Sequence, residues 1–138
     1  MAAYPAEYDF HVVLRDGGLA RIRPVKPEDA DGMRAMFRRM GRESLYLRFF
    51  SHKREVSDED IEYFTSVDYQ DRMAFVAEIG RDLVAVGRYD LIEDDPSAAE
   101  VSFSVEDAHH GRGLGSQLLS HLTNYARNNG VTSFRAYV

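Results

Sequence analysis

The 138-residue chain contains no cysteine. That excludes a disulfide scaffold, an iron–sulfur site, a cysteine zinc finger and a cysteine nucleophile. It fits a cytoplasmic protein, which is the compartment expected here. No apolar run approaches the roughly 20 residues that cross a bilayer, so no membrane association is expected. Met1–Phe10 carries Glu7 and Asp9, with no basic run ahead of an apolar stretch, and does not read as a signal peptide. Basic residues are in the minority, at 17 Lys+Arg against 23 Asp+Glu, a net charge of −6. Phosphate backbones require a basic face, so no nucleic acid is expected as a partner. An acidic surface suits a cationic partner, such as a lysine-bearing protein. Low-complexity segments and internal repeats are also lacking. With 44% hydrophobic and 29% charged residues, the chain has the composition and length of one globular domain.

His11–Leu14 and Leu19–Ile22 flank Asp16-Gly17-Gly18 and read as a β-hairpin. Pro27, Glu28 and Asp29 suit the start of a helix. Its apolar face is Ala30, Met33, Phe37 and Met40, and Gly41 closes it. Ser44–Phe50 is apolar and aromatic and is expected to form a short helix. Ser57-Asp58-Glu59-Asp60 reads as a helix cap, with Ile61, Phe64 and Val67 as the buried stripe. Met73–Ile79 and Leu83–Ile92 are strand-like and joined through Gly80-Arg81-Asp82. Asp94–Ser97 reads as a turn. From Glu100 to Glu106 the pattern alternates, placing Val101, Phe103 and Val105 on one face and Glu100, Ser102, Ser104 and Glu106 on the other. A helix from about Gly113 to Asn129 follows, with Leu114, Leu118, Leu119, Leu122, Tyr125 and Ala126 as its stripe. Asn128-Asn129-Gly130 stops it, and Val131–Val138 begins a last strand. The order is hairpin, helices, antiparallel strands, then strand–helix–strand. That is an α/β layered domain with a mixed sheet and one late crossover.

The chemically informative stretch is His109-His110-Gly111-Arg112-Gly113-Leu114-Gly115-Ser116, between a strand and a helix. Glycines at alternate positions permit positive φ and close approach to a ligand. The first free N–H groups of the helix then face the turn beside the positive dipole end, an anion site suited to phosphate or pyrophosphate. Arg112 adds a charge at the rim. Gly115 is followed by Ser116-Gln117 rather than Lys-Ser/Thr, so this is not a P-loop. The spacing and the late position exclude a dinucleotide-binding βαβ start. A turn used only for strand–helix packing is the remaining alternative. Adjacent His109 and His110 diverge and have no further ligand at metal spacing, so no metal site is read. No Ser-His-Asp arrangement is legible.

From Glu100 to Val138 the sequence resembles the acyl-CoA-binding part of the GNAT acetyltransferases. Their signature is Gln/Arg-x-x-Gly-x-Gly/Ala; here His110 replaces the first residue, while Gly111, Gly113 and Gly115 match its glycines. Ile22-Arg23-Pro24, leading to Pro27-Glu28-Asp29-Ala30, extends the resemblance to about residues 18–138. Glu43–Ser51 and Glu100–Asp107 are similar to the GNAT domain of bacterial Pat-type protein lysine acetyltransferases.

That resemblance implies one GNAT domain over residues 1–138, a mostly antiparallel mixed sheet flanked by helices, and further strands and a helix after Val138. It implies a larger multidomain protein, with fusion to an acyl-CoA-synthetase-like domain, and acyl-CoA synthetases as protein partners. The implied activity is acetyl-CoA-dependent lysine N-acetylation without a metal. Gly111, Arg112, Gly113, Leu114, Gly115 and Ser116 would hold the CoA pyrophosphate. The backbone of Phe103, Ser104 and Val105 would hold the pantetheine arm, and one N–H there would polarise the thioester carbonyl. Glu100, at the start of this strand, would be the general base. Glu106 reads as structural, and Glu78 and Asp90 are weaker base candidates. A small-amine acetyltransferase and a non-catalytic acyl-CoA-sensing module remain as alternatives.

Overall fold

Among the described residues, six strands pair in the order in which the chain makes them, β1 to β6. The structure, a computed structural model, describes residues 3–40 and 56–136. The expected helix at Ser44–Phe50 and the closing role of Gly41 lie outside the described residues. Strands β1 (Phe10–Val13), β2 (Leu19–Pro24), β3 (Arg72–Ile79), β4 (Asp82–Ile92) and β5 (Asp95–Val105) form an antiparallel meander. Strand β6 (Ser133–Arg135) returns parallel to β5, pairing Ala98–Glu100 with Ser133–Arg135. The parallel pair needs a crossover, and helix α3 (Leu114–Asn128) supplies it.

Three helices are seen among the described residues. A single 3₁₀ turn at Pro27–Asp29 leads into α1 (Ala30–Arg39). The Asp29 carboxylate accepts from the Lys26 backbone N–H at 2.8 Å and takes two bonds from Arg23, at 2.7 and 2.9 Å. The start of α1 is thereby tied to β2. Helix α2 (Asp58–Thr65) begins with the expected box: Ser57 Oγ accepts from the Asp60 N–H, and the Asp60 carboxylate from the Ser57 N–H.

Successive strand residues point to opposite faces, and β4 shows what covers each. A Cβ on Gly87 would collide with Phe103 and meet Leu118 of α3, while Arg88 lies over the rings of Tyr63 and Phe64 of α2. Helix α1 shares the α2 side, since Phe37 packs on Phe64 and Gly32 lies against Leu83. Between these layers sit Ile22, Met33, Met36, Phe75, Val76, Leu118 and Leu122, all fully buried.

Several expectations are adjusted. Met36, absent from the expected α1 stripe, is buried. Leu119 is 42% exposed, because the ridge Leu114–Leu118–Leu122 points to the sheet and Leu119 sits about 100° around the helix from it. The expected turn at Asp94–Ser97 shrinks to Glu93-Asp94, since Ile92 already pairs with Asp95 across a register shift. Ser104 and Glu106, on the polar face of the alternation, are buried, and Arg39 of α1 reaches Glu106. No helix among the described residues is long and apolar enough to cross a membrane.

Candidate active site

Among the described residues, strand β5 is paired along most of its length on one side and briefly on the other. β4 pairs with it from Ala99 to Val105 and again at Asp95 across a register shift, whereas among the described residues β6 pairs with Ala98–Glu100. Among the described residues, the β5 edge from Val101 to Val105 has no strand paired with it on that side. The Glu106 N–H donates inward to Val84 O at 2.8 Å. Antiparallel backbone groups alternate inward and outward. Ser104 thus turns its N–H and C=O toward β4, and Phe103 and Val105 turn theirs to the free edge.

A cavity of about 460 Å³ opens at this edge. Phe103, Ser104 and Val105 form one wall, Met40 at the end of α1 another, and the glycine loop with the first turn of α3 the third. His110 Nε2 lies 2.8 Å from Val105 O. A carbonyl can only accept, so Nε2 carries the proton. Gly111 has φ +79° and Gly113 φ +88°, values that L side chains rarely adopt. A Cβ on Gly111 or Gly115 would meet nothing within 4 Å. Gly113 is the N-cap of α3 without a side-chain cap, and no acidic residue stands in the first turn. The first N–H groups of a 15-residue helix, with no intrahelical partner, are thus left for a ligand beside the positive dipole end.

The loop is held by a chain of charges. Arg39 of α1 bonds to Glu106 and to the Leu83 carbonyl, the latter at 2.9 Å. Glu106 Oε2 lies 3.5 Å from His109 Nε2, and Arg112 Nη1 meets His109 Nδ1 at 3.0 Å. A guanidinium only donates, so Nδ1 is the acceptor and the His109 proton faces Glu106. Arg112 ends on Asp16, in the β1–β2 turn. Its guanidinium holds the Asp16 carboxyl below the usual carboxylate range.

Two readings from the sequence change here. The Arg112 side chain is not the free charge at the rim: it is tied to Asp16 and His109 and lines an adjoining groove. Arg15 lines the cavity instead. Ser104 contributes a wall, but its backbone N–H and C=O turn to β4, so the arm contact expected of it is left to Phe103 and Val105; its Oγ is inaccessible and unpartnered among the described residues. Arg15, Asp16 and Met40 were missed. Asp16-Gly17-Gly18 signals a turn, but nothing local signals that the turn meets residue 112. Glu106, read as structural, is 7% exposed and held by Arg39.

Glu100 lies four residues before Ser104 on the same strand face, roughly 13 Å along β5. Its side chain is exposed, with no hydrogen bond or ion pair among the described residues. The alternatives are occupied. Glu78 pairs with Arg23 at 3.0 Å and Arg21 at 3.5 Å. Asp90, directly across the ladder from Glu100, accepts from Arg88 at 2.6 Å and from the Tyr63 hydroxyl at 3.1 Å.

A sequence model of the Acetyltransferase (GNAT) family matches residues 33–138. An acetyltransferase of Pseudomonas aeruginosa is 31% identical over 121 residues, 85% of this chain and 64% of that protein. Acetyltransferase Pat of Mycolicibacterium smegmatis is 34% identical over 129 residues, 92% of this chain and 38% of that protein. The chain thus spans less than two thirds of either curated relative. Among solved structures, the GNAT domain of S. lividans PAT superposes with a TM-score of 0.92 at 40% identity, covering 97% of this chain and 80% of that one. On this likeness of sequence and architecture, the chain belongs to the GNAT acetyltransferase family.

Proposed function

We propose that this chain is an acetyl-CoA-dependent protein lysine N-acetyltransferase domain of a larger protein, acting on acyl-CoA synthetases. The observation that carries the reading is one cavity bounded both by the outward backbone of Phe103 and Val105 and by the uncapped start of α3. An extended amide-bearing arm fits the first, and a diphosphate fits the second. Gly111 and Gly115 leave the space a diphosphate needs, since no neighbour fills their Cβ directions.

Acetyl-CoA, when bound, supplies a thioester carbonyl open to attack by an amine. The loop from Gly111 to Ser116 fixes the diphosphate end. The outward N–H groups of β5 orient the arm, and one of them stabilises the negative charge that develops on the carbonyl oxygen. A lysine ammonium has a pKa near 10.4, so it must lose a proton before it attacks. Glu100 would accept that proton, directly or through one water; as the amine's N–C bond forms, the thioester C–S bond would break, and the departing CoA thiolate would take up a proton and leave as the free thiol. Its freedom from ion pairs among the described residues supports this role, because no guanidinium engages its oxygens and they are open to an amine or a water. The charge of −6 and the likeness to Pat domains support a lysine-bearing protein as acceptor.

The test is incubation of the full-length protein with acetyl-CoA and a panel of acyl-CoA synthetases, reading lysine acetylation by mass spectrometry. Acetyl transfer to one or a few lysines of a folded synthetase is expected. Faster turnover of a free small amine than of every protein tested would assign the site to small amines instead.

A further inference from the structure

Two arginines meet the glycine loop, and their roles are divided by what each already touches. Arg112, inside the loop, has its guanidinium engaged by Asp16 through two bonds, at 2.7 and 3.2 Å, and by His109 at 3.0 Å. Arg15 comes from the opposite end of the chain. Its backbone N–H donates to the Arg112 carbonyl at 3.2 Å, which fixes its place beside the loop. Its stem runs so close to Gly113 that a Cβ there would stand 3.4 Å from Arg15 Cγ and Nε. Its side chain lines the cavity and has no anionic partner among the described residues. Asp16, the adjacent carboxylate, is held by Arg112. Gly18 belongs to the same arrangement, since a Cβ there would fall 2.4 Å from Arg112 Nη2.

We propose that Arg15 is a binding residue for the cofactor diphosphate, a charge delivered to the α3 amides by the β1–β2 turn and held in place by the Asp16–Arg112 pair. The inference rests on the acetyl-CoA reading above. A guanidinium offers a planar fork of donors that matches phosphate oxygens, and such charge-assisted bonds are among the stronger ones. Arg15 supplies this from a segment that carries no glycine signature of its own.

The experiment is calorimetric titration of the full-length protein and its Arg15→Ala and Arg15→Lys variants with CoA and with 3′-dephospho-CoA. Arg15→Ala is expected to bind both ligands roughly tenfold or more weakly. Arg15→Lys should recover part of the loss, and the loss should shrink at high salt. Equal affinity of Arg15→Ala and wild type for CoA overturns the proposal. A loss confined to CoA and absent with dephospho-CoA overturns the assignment to the diphosphate. Failure of the wild-type protein to bind CoA at all overturns instead the acetyl-CoA reading on which the inference stands. Arg15 is exposed, so an unchanged melting temperature is expected and separates a binding loss from misfolding.

Discussion

Arg112 Nε donates to Asp16 Oδ2 at 2.7 Å across 96 residues of chain, joining the turn of the first hairpin to the loop before α3. The contact makes Arg112 a positioning residue. Arg112→Ala is expected to lower CoA affinity less than Arg15→Ala does, because it removes a tether rather than a ligand contact. It should also speed amide hydrogen exchange in the loop around Gly111 and Gly113. An Arg112→Ala protein with unchanged exchange and the larger affinity loss would make Arg112 itself the phosphate contact.

Gly113 and Gly115 both line the cavity, but for different reasons. Gly113 has φ +88°, and its Cβ direction meets Arg15. Gly113→Ala is expected to destabilise the fold by about 1–2 kcal/mol, the cost of a left-handed L-residue. It should weaken CoA binding as well. Gly115 stands within helix α3, and its Cβ direction is empty. Gly115→Ala is expected to raise the melting temperature, since alanine favours a helix by up to about 1 kcal/mol over glycine. It should still weaken CoA, because the added methyl occupies ligand space. Thermal melts with and without CoA check both variants.

Ser104 is 3% exposed, and its hydroxyl has no partner among the described residues. A buried unpaired hydroxyl costs about 1–3 kcal/mol. Ser104→Ala removes that group and leaves a small gap. The expected result is a higher melting temperature with unchanged CoA affinity, since its N–H and C=O turn to β4. A drop in CoA affinity without loss of stability would show that the hydroxyl reaches the ligand.

The sequence made the periodic parts legible. The hairpin at Asp16-Gly17-Gly18, the cap at Ser57–Asp60 and the Leu114–Leu118–Leu122 ridge follow from local chemistry that tertiary packing reinforces. The glycine loop could be singled out because its signal is also local, whereas Glu100 comes from the family resemblance. Arg15 could not: its proposed role depends on a contact with residue 112 that no spacing rule encodes. The burial of Ser104 and Glu106 is not legible from alternation, which reports two faces without telling whether a helix covers both. Arg39, which holds Glu106, belongs to α1, far away in sequence. Long-range ion pairs of this kind are what a single sequence conceals.

Glu100 remains the residue on which the catalytic reading turns. It is the one of the three candidate base carboxylates with no ion pair among the described residues, and it lies on the strand whose free edge forms the cavity wall. Glu100→Gln keeps the shape and removes the basicity. Loss of a general base commonly lowers the rate by about 10²–10⁴, so kcat should fall by that order. CoA affinity should hold, because the diphosphate and arm contacts lie several residues further along β5 and in the loop. Raising the pH should recover part of the rate, since more of the acceptor lysine is then deprotonated without help. Glu78→Gln offers the contrast. Arg23, its partner, is buried, so weakening that pair should lower the melting temperature first and change kcat little. Steady-state kinetics and melts on both variants decide the matter. A Glu100→Gln enzyme with near-normal turnover at neutral pH, beside a Glu78→Gln enzyme that is stable and slow, would move the base to Glu78 and leave Glu100 a solvated edge carboxylate.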